Sequence, residues 1–113
     1  MSRIEQVNEF IKQEVSKAIS KIVEPEMGLV TVLAVETQKD LKKSYVWLSI
    51  LAQDKEAAFK KLKQRTQEIQ EVINKRSSFR NTPKIELKYD SSEEYASKIE
   101  EILKEIRQND SQK

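Results

Sequence analysis

The sequence predicts an α+β domain with the order helix, strand, strand, long helix, strand, helix. Three observations carry this reading. Apolar residues recur three or four apart at Ile4, Val7, Ile11, Val15, Ala18 and Ile22, the spacing of one helix face. Two short runs rich in β-branched residues follow, Leu29 to Glu36 and Ser44 to Leu51, each too short for a helix. Further on, Lys84 to Tyr89 alternates polar and apolar residues, the period of a half-buried strand with Ile85, Leu87 and Tyr89 inward. A three-stranded sheet with helices on one face buries all these stripes.

The first helix is expected to end before Pro25, which disfavours helical geometry at Glu24, and Gly28 marks a turn. In the second strand Val46, Leu48 and Ile50 face one way, and Tyr45, Trp47 and Ser49 the other. The polar link Thr37 to Lys43 suits an antiparallel hairpin. Asp54 is a candidate N-cap for the long helix, on which Ala58, Leu62, Thr66, Ile69 and Ile73 share a face. Ser91-x-x-Glu94 forms a capping box ahead of a last helix carrying Tyr95, Ile99, Ile102, Leu103 and Ile106. The expected organisation is a single domain over residues 1–108 and a flexible polar tail over 109–113.

Composition excludes most catalytic chemistry. The 113 residues contain no Cys and no His, so thiol catalysis, Cys or His metal ligation and the usual neutral-pH base are absent. One Gly, Gly28, is too few for a phosphate-cradling glycine loop. Acidic pairs such as Glu93-Glu94 and Glu100-Glu101 lie on an amphipathic helix and read as a solvated face. The expectation is a non-enzyme without cofactor, metal or small-molecule substrate. Met1 to Phe10 lacks the apolar stretch of a signal peptide, and the longest mostly apolar run, Met27 to Val35, falls short of a membrane span. A cytoplasmic protein with no membrane contact is expected.

The formal net charge of +2 conceals a segregation. Residues 1–40 carry 5 basic and 7 acidic side chains, residues 41–89 carry 12 and 5, and residues 90–113 carry 4 and 7. A basic centre between acidic flanks attracts a polyanion in one orientation. Lys60, Lys63, Gln67, Gln70 and Asn74 share the outer face of one continuous helix, and cations mixed with amides suit phosphate and ribose contacts. The alternative is an ordinary solvated surface, supported by the i,i+4 pairs Glu56–Lys60 and Glu71–Lys75. Tyr45 and Trp47 either stack unpaired bases or belong to the core. Phe79 reads as a packing anchor beside Arg80.

These residues, in order and at matching spacing from about Arg3 to Ile102, resemble the ribosome-binding factor A family of bacterial small-subunit assembly factors. Val7-Asn8 with Ile11 and Val15 is similar to its early helix pattern. Glu24-Pro25-Glu26-Met27-Gly28-Leu29-Val30-Thr31-Val32 is similar to its Asp-Pro-Arg-Leu-Gly-Leu-Val-Thr-Val stretch. Val35-Glu36, Asp40-Leu41 and Val46-Trp47-Leu48-Ser49 follow its Val-Glu, Asp-Leu and Val-Tyr-Val-Ser run. Phe79-Arg80-Asn81-Thr82-Pro83, then Leu87, Tyr89-Asp90 and Ser92, follow its Leu-Arg-x-x-Pro and Tyr-Asp-x-Ser segment.

The resemblance implies a KH-like domain of the second type. It implies binding, as a monomer, to the immature small ribosomal subunit and its precursor rRNA, in late maturation and rRNA processing and in growth in the cold, without catalysis. On that reading the RNA-binding residues are Lys43, Lys60, Lys63, Arg65, Lys75, Arg76, Arg80 and Lys84. A protein–protein adaptor with an acidic partner is the alternative. The family kinks its long helix at an Ala-x-Gly sequence. Arg65, Thr66 and Gln67 stand at those positions, and Arg and Gln are good helix formers. The expectation is therefore a straight helix there, with the break displaced toward Asn74 to Ser78.

Overall fold

The computed structural model describes residues 1–89 together with Glu100, Glu101 and Lys104. The capping box at Ser91, the apolar stripe from Tyr95 to Ile106 and the tail at 109–113 lie outside the described residues.

Helix α1 (Arg3–Ile22) starts at Ser2, whose hydroxyl accepts the Glu5 N–H at 3.1 Å. It buries Val7, Ile11, Val15, Ala18 and Ile19, and ends three residues before Pro25. A 3-10 turn, Pro25–Met27, leads to Gly28 at φ 69° and ψ −146°, a conformation open to glycine. Strand β1 (Leu29–Thr37) pairs antiparallel with β2 (Lys43–Leu51), and β3 (Lys84–Lys88) pairs parallel with β2, giving the sheet order β1-β2-β3. Two helices, α2 (Lys55–Gln64) and α3 (Thr66–Arg76), connect β2 to β3.

The alternation in β2 is as the sequence implies. Ser44, Val46, Leu48 and Ile50 are buried, and Tyr45, Trp47 and Ser49 are half-buried on the opposite face. In β1 the register shifts between Val32 and Ala34. This bulge inserts Leu33, so Val32 and Val35 both face the helices while Ala34 faces away, opposite Trp47. Helices α1, α2 and α3 pack over β1, β2 and β3 respectively, all on one face. Between them lies one core that includes Ile11, Val15, Leu48, Leu62, Ile69 and Ile73, each 0% exposed. Phe79 anchors the loop before β3 through an edge-to-face contact with Phe10, ring centroids 5.5 Å apart.

The long helix is broken at Arg65, against the expectation of a straight one. Arg65 sits at φ −102° and ψ 12°, closing α2 through an N–H bond to Leu62 O at 3.0 Å and opening α3 through its own carbonyl. This bridge-region geometry is open to any L-residue, so no glycine is required. The Thr66 hydroxyl donates to Lys63 O at 2.7 Å, satisfying a carbonyl at the end of α2. Tertiary packing overrides propensity: Ala58 and Leu62 seat α2, and Ile69 and Ile73 seat α3. The helix instead runs unbroken through Asn74 and ends at Ser77.

Candidate nucleic-acid interface

Lys60 and Lys63 project from α2 and are exposed. Lys75 lies in the last turn of α3, Arg80 in the loop after it, and Lys84 opens β3; all three are exposed. Lys43 opens β2 as the register partner of Lys84, and the Lys84 N–H reaches Lys42 O at 2.9 Å. The exposed candidates thus come from α2, from the end of α3 and the loop after it, and from the start of β3, where Lys43 of β2 is the register partner of Lys84. None of Lys60, Lys63, Lys75, Arg80 and Lys84 has an ion-pair partner among the described residues. The pairs Glu56–Lys60 and Glu71–Lys75 do not close to ion-pair distance.

The other three candidates are held internally. Arg65 donates Nη1 to Ile22 O, the C-terminal carbonyl of α1, at 3.0 Å. Its Nε and Nη2 grip Glu68 at 3.1 and 2.9 Å. Its guanidinium therefore turns back onto α1 rather than outward. Arg76 reaches Glu14 of α1 at 2.6 Å, where the Glu14 side chain is 9% exposed. Lys43 approaches Glu86 at 3.6 Å. The Arg65 and Arg76 contacts tie the kink and the end of α3 to α1, and the Lys43 contact joins β2 to β3.

Two consequences are testable. Arg76→Glu places a second carboxylate against the nearly buried Glu14 and is expected to cost about 1–3 kcal/mol, read by urea denaturation. Arg76→Gln is expected to cost less. The second consequence concerns acid stability. Hydrogen bonding to Arg65 holds the Glu68 carboxyl below its ordinary range, and raises Arg65 in turn. A lowered folded-state pKa contributes stability above the ordinary carboxylate range and loses it as pH falls through the folded value. Stability profiles of wild type and Glu68→Gln are therefore expected to stay apart above the ordinary carboxylate range and to converge only as pH falls below it.

Gln70 does not belong to an outer polar face. Its Nε2 donates to Pro83 O at 3.1 Å and its Oε1 accepts the Ile85 N–H at 2.7 Å. It thereby satisfies a backbone donor on the edge of β3. Sequence reasoning missed this role, because only the chain reversal brings α3 beside the start of β3. It also missed the cations around Tyr45: Lys43 and Lys88 place Nζ 5.7 and 5.3 Å from the ring centroid. Their meeting depends on the parallel pairing of β2 with β3. Trp47 is half-buried on the sheet face away from the helices, outside the helix-side core. Between α1 and α3 a groove of about 290 Å³ has Ala18, Ile22, Ile69 and Val72 among its lining. Among the described residues no group of three or more acidic side chains is placed to hold a metal ion.

The profile of the ribosome-binding factor A family matches residues 3–103. Ribosome-binding factor A of Staphylococcus epidermidis is 36% identical over 111 residues, covering 96% of each chain. The crystal structure of ribosome-binding factor A from Thermus thermophilus superposes with a TM-score of 0.68 at 21% identity, covering 76% of this chain and 93% of that one. Coordinates of the Thermus protein fitted into the cryo-EM map of a 30S–RbfA complex superpose with a TM-score of 0.62 at 23% identity, covering 70% and 86%. With the kinked helix pair packed on a β1-β2-β3 sheet and a profile match over nearly the whole length, this chain belongs to the ribosome-binding factor A family.

Proposed function

We propose that this chain is a non-catalytic assembly factor. It binds the immature small ribosomal subunit through its rRNA and assists late maturation and rRNA processing. It works in the cytoplasm as a monomer, needing no cofactor or small-molecule substrate. The carrying observation is the set of exposed cations, Lys60, Lys63, Lys75, Arg80 and Lys84, without ion-pair partners among the described residues. Such cations are available for phosphate, whereas Arg65 and Arg76 serve first as fasteners. The Thermus relative fitted into a 30S complex supports the choice of partner.

One observation favours the adaptor reading, namely the groove between α1 and α3, with exposed Val72 on its wall. Salt titration of binding to small-subunit rRNA separates the two. Counterion release makes rRNA affinity fall steeply between low and physiological salt. A flat response, or equal affinity for rRNA and a generic polyanion, rejects the proposed function.

A further inference from the structure

The link between β1 and β2 reads Gln38-Lys39-Asp40-Leu41-Lys42. Polar surface loops are ordinarily mobile, yet this one is tied down. The Gln38 N–H bonds Lys43 O at 2.9 Å, the Leu41 N–H bonds Gln38 O at 2.9 Å, and the Lys42 N–H bonds Asp40 Oδ1 at 3.0 Å. Leu41 stands at φ 62°, the one non-glycine residue in the left-handed region among the described residues. Bulky side chains rarely adopt that geometry. Here the Leu41 side chain packs against the core, which holds the turn in place. At the base of the loop the Thr37 hydroxyl donates to Asn8 of α1 and shares a hydrogen bond with the Ser44 hydroxyl at 2.7 Å. Strained turns held this firmly cluster at ligand-binding sites.

This rigid mount presents charge. Lys39 and Lys42 are exposed and, like Lys84, have no ion-pair partner among the described residues. The Lys84 N–H bond to Lys42 O sets the start of β3 beside the loop. Asp40 is the one acid within the loop, and Glu86 is shared by Lys43 at 3.6 Å and Lys88 at 3.8 Å. A cationic surplus therefore remains on Lys39, Lys42 and Lys84. It lies apart from Lys60 and Lys63. The hairpin is fixed to α1 at Asn8, whereas Arg65, which closes α2, is fixed to α1 at Ile22. Fourteen helical positions separate these two anchors, about 21 Å along α1.

We propose that Lys39 and Lys42 of the hairpin loop, with Lys84, form a second phosphate-binding point, which engages the backbone of the rRNA at the end of the domain opposite α2. The proposal rests on the rRNA reading above and adds that the domain grips its RNA at two separated points. Cations on a fixed loop lose little freedom on meeting phosphate, so the mount contributes to affinity beyond its charge.

The test uses the full-length protein and small-subunit rRNA. Lys39→Glu combined with Lys42→Glu is expected to lower affinity on the order of 10-fold at physiological salt, and the slope of log K against log salt by about 2. Lys12→Glu combined with Lys21→Glu makes the same change in net charge at exposed positions of α1, and is expected to leave affinity within about twofold. Lys39→Arg combined with Lys42→Arg keeps the charge and is expected to bind as wild type. Far-UV circular dichroism checks that each variant is folded. A folded loop reversal that binds as wild type, a control that loses as much as the loop reversal, or an arginine variant as weak as the glutamate one overturns the second point, while the α2 cations keep their role. Wild type without salt-dependent rRNA binding rejects the proposed function itself, and this proposal with it.

Discussion

Reversing Lys60, Lys63, Lys75 and Arg80 to Glu is expected to lower affinity for small-subunit rRNA by on the order of 100-fold or more at physiological salt. On the proposed interface, each reversal replaces a cation that meets phosphate with a charge that repels it. The slope of log K against log salt should fall by about 3, since fewer counterions are released. The four side chains are exposed and without ion-pair partners among the described residues, so the fold should persist, with each change costing no more than about 0.5 kcal/mol. Arg76 is excluded from the set because it neutralises Glu14, and Arg65 because it ties the kink to α1. Binding by the folded variant at wild-type strength would remove the interface from these residues.

The largest stability effect is expected at Gly28. A Cβ there would lie 2.2 Å from Leu51 O and 2.9 Å from the Ala52 Cβ. The carbonyl belongs to the last residue of β2, so neither partner can withdraw without disturbing the pairing of Leu29 with Leu51. The backbone at φ 69° and ψ −146° adds strain for any side chain. Gly28→Ala is expected to cost about 3 kcal/mol, lowering the melting temperature by on the order of 10–20 °C. Thermal denaturation checks this. A shift of only a few degrees would mean that the turn relaxes around a Cβ.

What the sequence discloses about this fold is its local chemistry. The stripe from Val7 to Ala18 defines α1, the alternation Val46, Leu48, Ile50 defines β2, and Asp54 caps α2 by accepting the Ala57 N–H at 3.0 Å. Each depends on neighbours a few residues away. The features that escape sequence reading are made by distant pairs. Arg65 looks like a good helix former in an unbroken register, yet its guanidinium is held by a carbonyl 43 residues earlier and its backbone is bent. Arg76 looks like one more surface cation until α1 brings Glu14 against it. Gln70 fits an outer polar face on a wheel, and only the return of the chain into β3 gives it Pro83 and Ile85 as partners. Charge segregation along the chain picks out a basic stretch of sequence, but not which of its cations are engaged on the protein itself. Three of the eight candidates are engaged with acids on the protein itself.

The central proposal is that a set of exposed cations, without ion-pair partners among the described residues, binds this chain to immature small subunits. Co-sedimentation tests it most directly, using the full-length protein and the Lys60, Lys63, Lys75 and Arg80 reversal variant with immature and mature small subunits. The account predicts that wild type pellets with immature particles in preference to mature ones, and that the folded variant stays in the supernatant with both. Equal pelleting of wild type and variant with immature particles, or no pelleting of wild type with either, would contradict it.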